Sequence, residues 1–184
     1  MIYSPVNVSK FYIADKADDY YFMAGRLVSY KRFDLAIQVF NELGWPLKIA
    51  GIGPEMKKLK AMAGDNIEFL GLVSDERLAD LYSHAQAFIF PQEEDFGITP
   101  LESMASGRPV IAYRGGGAVE TIAENQTGIF FNEQTKDSLK SALSEFKNMQ
   151  FSPVTCREQA KKFDVLVFQD NIMKALDSLP ARDR

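Results

Sequence analysis

Apolar residues along this chain fall into two alternating patterns. Short, almost unbroken apolar runs occupy positions 20–24, 47–50, 67–70, 87–90, 109–113 and 128–131. Longer stretches with helical spacing lie between them. Over 31–43, Phe33, Ala36, Ile37 and Phe40 repeat at the i, i+3, i+4, i+7 spacing of one buried helix face. The first three runs close on Gly25-Arg26-Leu27, Gly51-Ile52-Gly53-Pro54 and Gly71-Leu72-Val73. Ser74 reads as an N-cap for a helix running to about His84. Arg77 rather than Glu stands three residues on, so the capping box is incomplete. Gly115-Gly116-Gly117 leads into a short helix over 118–124. From about Thr135 the chain reads as helix to its end, with breaks near Ser152-Pro153 and Lys162-Phe163-Asp164.

Near-continuous apolar strands alternating with amphipathic helices predict a parallel sheet covered on both faces. The expected fold is a Rossmann-like three-layer αβα domain with about six strands. Such sheets bind ligands beyond the carboxyl ends of their strands. Every glycine-rich turn named above lies at such an end. Residues 1–19 carry Pro5 and no clear period, and read as an irregular leading segment. The Rossmann-like domain is expected over 20–162, and a final helix with a tail over 163–184.

Composition narrows the picture only a little. The chain has 184 residues, 46% hydrophobic and 25% charged, enough for one domain with a real core. No run approaches the roughly 20 apolar residues of a membrane span, and no secretory leader is legible. The single cysteine, Cys156, excludes an internal disulfide and a multi-cysteine metal site. These features together predict a cytoplasmic protein. A net charge of −4 gives no support for nucleic-acid binding. It leaves room for peripheral contact with the inner face of a membrane through a local basic patch.

The chemistry concentrates on Glu94-Asp95-Phe96-Gly97-Ile98-Thr99-Pro100-Leu101-Glu102. This stretch follows the apolar run at 87–90 and precedes a small-residue helix, 102–107, that stops at glycine. Two carboxylates therefore bracket a strand-to-helix loop. Pro100 suits a first helical turn, where its missing N–H costs nothing. Gly97 lets a ligand approach the backbone. The N–H groups around Phe96, Gly97, Ile98 and Thr99 are then free, backed by the positive end of a helix dipole, an arrangement that binds phosphate. An ordinary acidic strand–helix turn reads equally well from the loop alone. Arg26 and Lys31, five residues apart across a loop, can reach one anion, one as a planar fork and one as a point charge. Two solvated surface charges are the plainer reading. His84 reads as a helix-terminal or surface group, and Cys156 has no catalytic partner in view.

The stretch from Glu94 to Glu102 resembles the two-glutamate motif of the group 1 glycosyltransferases, which have the two-domain GT-B fold. Seven residues separate the glutamates, Phe-Gly lies inside, and Gly107-Arg108-Pro109 follows the helix. Gly25-Arg26-Leu27-Val28-Ser29-Tyr30-Lys31-Arg32 and Ser4-Pro5-Val6-Asn7-Val8-Ser9-Lys10-Phe11 are also similar to family blocks. Asp95 departs from the pattern, where glycine is frequent. The resemblance covers nearly the whole chain and implies the C-terminal, donor-binding half of a GT-B protein, with an N-terminal acceptor-binding domain preceding it.

It implies roles as well. Arg26 and Lys31 grip the diphosphate of a sugar nucleotide, and with Glu94 make up the catalytic set. Glu94 contacts hydroxyls of the transferred sugar, and Glu102 holds the ribose. Backbone groups at Phe96, Gly97, Ile98 and Thr99 hold sugar or phosphate oxygens. Gly51, Gly53 and Val73 wall the nucleobase; for the two glycines, a role in tight turns alone is an equal reading. Gly115-Gly116-Gly117 is expected to be structural, tied down by Glu120. No tightly bound metal or other cofactor is implied. The donor is GDP-mannose on similarity to the mannosyltransferase branch, with a UDP-hexose the alternative. The acceptor is a hydroxyl of a glycan, lipid or other molecule in polysaccharide or glycoconjugate assembly. Retention of configuration follows from the family. A segment near 168–176 resembles the helix that crosses back to the first domain. The rivals are a sugar-nucleotide 2-epimerase of the same architecture and a non-catalytic nucleotide-sugar-binding module.

Overall fold

A computed structural model of the chain describes residues 2–178, so the end of the tail expected over 163–184 lies outside the described residues. Six strands form one sheet: β1 (Tyr21–Ala24), β2 (Leu47–Ala50), β3 (Ile67–Gly71), β4 (Phe88–Phe90), β5 (Val110–Tyr113) and β6 (Gly128–Phe131). Their order is β3-β2-β1-β4-β5-β6, and every pairing is parallel. The helices are α1 (Phe33–Leu43), α2 (Met56–Met62), α3 (Asp75–His84), α4 (Ile98–Ala105), α5 (Ala118–Thr121), α6 (Lys136–Phe146), α7 (Pro153–Lys161) and α8 (Val165–Asp177). The expected α/β architecture is the one observed.

The period-2 alternation of strand side chains divides the interior into two cores. On one face Phe22, Phe88, Phe90, Val110 and Ala112 pack with Tyr82, Leu101, Met104, Cys156 and Ala160. On the other, Met23, Ile49, Ile89, Ile111 and Ile129 pack with Phe33, Ile37, Phe40, Leu139 and Leu143. Helices α3, α4 and α7 thus cover one face, and α1 and α6 the other. The strand order reverses between β1 and β4, which share one register pair, Phe22 with Phe88. Connections leave in opposite directions there, and a crevice opens beyond the carboxyl ends.

Two helices start elsewhere than the pattern predicts. Lys31 ends a 3-10 turn, Ser29–Lys31, and Arg32 then adopts a left-handed φ of 53°, so α1 begins at Phe33. Gly97, at φ 80°, turns the chain into α4 at Ile98, four residues before Glu102. Glu102 therefore lies inside the helix, not at the edge of a loop. Helix α5 stops at Thr121, because Ile122 is extended and Asn125 turns left-handed at φ 62°.

The leading residues are stitched to the domain. Val6, Val8 and Phe11 are buried in the first core. The N–H of Val6 donates to the Phe163 carbonyl at 2.9 Å, and the N–H of Val165 to the Val6 carbonyl at 3.2 Å. The Arg157 guanidinium, on α7, donates to the carbonyls of Phe11 (2.9 Å) and Val8 (3.3 Å), and to that of Ala105 at the end of α4. Helix α8 buries none of its residues and leaves Leu166, Val167, Met173 and Leu176 exposed. No described helix is long and apolar enough to cross a membrane.

Arg157 therefore clamps three backbone segments at once. Replacing it strands partly buried carbonyls, at a cost of about 1–3 kcal/mol. Arg157→Ala is expected to lose about that much in urea unfolding, and Arg157→Lys, which lacks the planar fork, to recover only part of it.

Candidate functional site

The turn after β1 meets the turn after β2 backbone to backbone. A Cβ on Gly51, whose φ is 131°, would fall 1.9 Å from the Gly25 carbonyl oxygen, and one on Gly53 would fall 2.3 Å from that of Leu27. Only glycine permits this approach. The contact lets Gly51 and Gly53 share one cavity with Gly25 and Arg26. That cavity holds about 520 Å3 and is also lined by Ile52, Pro54, Leu72, Val73, Leu78, Thr99 and Glu102. Most of its wall is apolar. Leu72 is 80% exposed beside it and offers a bare apolar surface. The tight-turn reading of Gly51 and Gly53 is thus a fact of the fold, and the same turns wall the cavity.

A second, more open groove of about 590 Å3 adjoins it, lined by Ser4, Tyr30, Lys31, Glu93, Glu94, Asp95, Phe96, Gly97, Ile98 and Thr99. Thr99 belongs to both. The residues expected to bind the donor therefore line two adjoining spaces at the strand-order switch, whereas His84, Cys156 and the glycine triplet line neither. Arg26 and Lys31 do not line the same one.

The start of α4 is open. Among the described residues, the backbone N–H groups of Phe96, Gly97, Ile98 and Thr99 find no acceptor. The Thr99 hydroxyl is buried and likewise has no partner. Orphan donors at a helix start favour an anion or a ligand oxygen. The loop is held by its side chains and by its neighbours. Phe96 stacks on Tyr3 at 5.7 Å and packs against Phe163 at 5.9 Å. The N–H of Gly117 donates to the Glu94 carbonyl at 2.8 Å. Added Cβ atoms on Gly116 and Gly117 would meet Glu94 O at 2.1 Å and Phe96 Cα at 2.3 Å. The glycine triplet is thus a platform under the loop. Glu120, expected to tie it down, is exposed, and its carboxylate makes no hydrogen bond to the triplet among the described residues.

The two glutamates sit in different electrostatic settings. Glu94 pairs with Lys31, Nζ to Oε1 2.8 Å, and accepts from Gln92 Nε2 at 3.3 Å. One of the cations expected to serve phosphate thus pairs with one of the carboxylates expected to serve hydroxyls. Arg26 is exposed and makes no ion pair among the described residues. Glu102 lies on the inner side of α4 and accepts from the Tyr82 phenol, Oη to Oε2 2.9 Å. Burial pushes its carboxyl above the usual range, and the Tyr82 phenol offsets only part of that.

Tyr82, which donates to Glu102, was the contact that the motif did not expose. The signal was present: a tyrosine on the buried face of a helix, whose hydroxyl needs a partner. Gln92 gave no such signal.

The fold and site together define a Rossmann-like domain with its ligand crevice at the strand-order switch. The chain belongs to the group 1 glycosyltransferases: the family described as "Glycosyl transferases group 1" matches residues 8–163. An uncharacterized glycosyltransferase of Methanocaldococcus jannaschii is 29% identical over 170 residues, 89% of this chain and 48% of that protein. The sulfoquinovosyl transferase SQD2 of Arabidopsis thaliana is 31% identical over 150 residues, 76% of this chain and 29% of that protein. A GDP-mannose-dependent phosphatidylinositol monomannoside mannosyltransferase of Mycobacterium tuberculosis is 33% identical over 115 residues, 55% and 30% of the two chains. The chain thus spans half or less of the length of these relatives. Among solved structures, sucrose-phosphate synthase of Thermosynechococcus elongatus superposes with a TM-score of 0.83 at 23% identity, over 96% of this chain and 51% of that one. Anabaena HepE in complex with UDP and glucose gives 0.79 at 18%, over 97% and 56%. These superpositions establish the fold, one half of a GT-B architecture.

The raised carboxyl of Glu102 has a sign that can be tested. An acid whose folded pKa exceeds its unfolded value stabilises the fold below the unfolded pKa, about 4.3. That contribution is lost as pH rises through the folded value. Glu102→Gln keeps an acceptor for Tyr82 and removes the slope. The variant is expected to match or exceed the wild type in urea-unfolding stability at pH 7, with the difference shrinking toward pH 4.

Proposed function

We propose that this chain is the donor-binding domain of a retaining hexosyltransferase, and that the sugar is mannose, carried by GDP. The supporting observation is one cavity that joins a desolvated carboxylate, an unpartnered Thr99 hydroxyl and the open N-terminus of α4. A nucleoside-diphosphate sugar supplies a complement to each: ribose hydroxyls for Glu102, an apolar base face for Leu72 and Val73, and phosphate oxygens for the helix start. Arg26 and Lys31 face the diphosphate, and Glu94 the hexose. Relatives whose names specify GDP-mannose support the choice of sugar; one, from Corynebacterium glutamicum, is 36% identical over 109 residues.

In this reading the reaction transfers the hexose from the diphosphate to an acceptor hydroxyl. As the glycosidic bond to phosphate breaks, negative charge grows on the leaving diphosphate. In this reading Arg26, Lys31 and the α4 dipole stabilise that charge, the main electrostatic contribution the site offers. The Lys31–Glu94 pair must exchange partners when the donor arrives. Lys31 turns to phosphate, and Glu94 is released to accept from sugar hydroxyls. The acceptor is held by a companion domain across the GT-B cleft, against which the exposed apolar residues of α8 pack. The 184-residue chain alone therefore binds donor and transfers little.

Calorimetric titration with GDP, GDP-mannose, UDP and UDP-glucose tests this reading. Guanine nucleotides are expected to bind, and Glu102→Ala and Arg26→Ala to weaken them at least tenfold, about 1.4 kcal/mol. Preference for the UDP pair would overturn the choice of mannose. Binding that neither variant affects would move the donor elsewhere. Steady transfer to an acceptor by this chain alone would refute the need for a companion domain.

A further inference from the structure

The first core contains an oddity that packing does not explain. Tyr82 is completely buried, at 0% exposure, and its ring is fixed by other rings. Phe22 meets it edge-on at 5.0 Å, Phe11 at 5.9 Å, and Phe88 is tilted against it at 5.3 Å. A phenylalanine would fill that space equally well. A hydroxyl in such a place costs free energy unless it is hydrogen-bonded. Among the described residues its partner is a single atom, Oε2 of Glu102. The other carboxylate oxygen, Oε1, has no partner among the described residues, while Glu102 lines the large cavity.

We infer that Tyr82 is a positioning residue for ribose recognition: held by three rings, its phenol fixes one oxygen of Glu102 so that the other is presented to the cavity beside the Thr99 hydroxyl. This inference rests on the donor reading given above and adds the means by which a carboxylate on α4 is aimed. Three connected features support it. The ring cannot swing, so its hydroxyl is a fixed point contributed by α3. The 2.9 Å hydrogen bond from the phenol restrains a side chain that otherwise has three free torsions. Finally, Thr99 Oγ1 is buried and unsatisfied one helical turn before Glu102. Two polar groups on the same side of α4, one unpaired and one half-paired, match a vicinal diol that can donate to the carboxylate and share a proton with the threonine.

The consequence is selectivity. A site that leaves buried polar groups unpaired when a hydroxyl is missing rejects the deoxy analogue strongly. Tyr82 would set how strongly, because a carboxylate free to turn recovers other hydrogen bonds when the hydroxyl is absent. The other charged groups near Glu102 are Asp75, at the start of α3, and Lys10, in the leading segment, which pair with each other at 2.8 Å. Neither hydrogen-bonds the Glu102 carboxylate.

The test uses the whole chain, with Tyr82→Phe and Glu102→Ala, and two readouts. The first is the ratio of affinities for GDP and UDP over their 2′-deoxy and 3′-deoxy counterparts. The wild type is expected to favour the ribonucleotides, and Tyr82→Phe to lose about tenfold of that preference with deoxynucleotide affinity unchanged. General damage to the core would lower both affinities together. The second readout is the Glu102 carboxyl, titrated by 13C NMR without ligand. Loss of the phenol donor is expected to raise its midpoint further. A ribose preference that survives Tyr82→Phe, or an unmoved midpoint, overturns this inference and leaves the donor reading standing. No ribose preference in the wild type, or a preference that survives Glu102→Ala, sinks the donor reading and the inference with it.

Discussion

The reversal of strand order between β1 and β4 is the constraint on which the site depends. In a parallel sheet each strand must be followed by a crossover, and crossovers share one handedness. Strands added outward from β1 therefore place their helices on one face, and those added outward from β4 on the other. At the junction nothing covers the carboxyl ends. Gly25-Arg26 leaves β1 there, and the loop carrying Glu94 leaves β4 there. The pair Phe22–Phe88 fixes their separation. Loops whose residues lie almost seventy positions apart in sequence are thus neighbours at the crevice, and the Lys31–Glu94 ion pair joins them.

Once the crevice exists, backbone contacts shape it more than side chains do. Gly51 and Gly53 let the β2 turn lie against the β1 turn, and Gly116 and Gly117 let another turn lie under the motif loop. Tyr3 and Phe163, from opposite ends of the fold, close on Phe96. That is why the leading segment is not a loose tether. Its backbone is bonded to residues 163–165, and through Arg157 it reaches the end of α4. The helix that presents Thr99 and Glu102 is therefore braced at its far end by the first residues of the chain.

The alternating runs made the sheet, its helices and the location of the crevice legible in the sequence. Short buried strands leave little freedom in how they pair. The site was legible as a set of residues but not as a set of contacts. Glu102 looked like the first residue of its helix, at the edge of the loop, because the pattern could not show that Gly97 turns the chain into the helix at Ile98. Lys31 looked like a free cation because pairing with Glu94 depends on a separation that only the fold sets. Tyr82 was not singled out at all, because nothing in its spacing sets it apart from the other residues of its helix. What a buried hydroxyl bonds to is a tertiary fact, and periodicity carries no information about it.

The contrast between the two glutamates follows from where each can find a counter-charge. Glu94 sits on the open groove with an ammonium beside it, so its charge is neutralised by Lys31. Glu102 sits on a largely apolar wall where no cation pairs with it directly: the nearby Lys10 pairs with Asp75, and the Tyr82 phenol is its one hydrogen-bond donor among the described residues. On burial grounds alone a neutral side chain would be preferred at that position. A carboxylate kept in such surroundings is stabilised only when further donors arrive. On the proposed donor reading, the ribose of a nucleotide brings two hydroxyls and no positive charge, so without disturbing Arg26 and Lys31 it supplies donors to Glu102. A cation in their place would satisfy Glu102 permanently and leave the nucleotide nothing to complete. On the proposed donor reading, the under-compensated carboxylate is what makes the cavity selective, while the two aromatic-rich cores on either side of the sheet carry the stability of the fold.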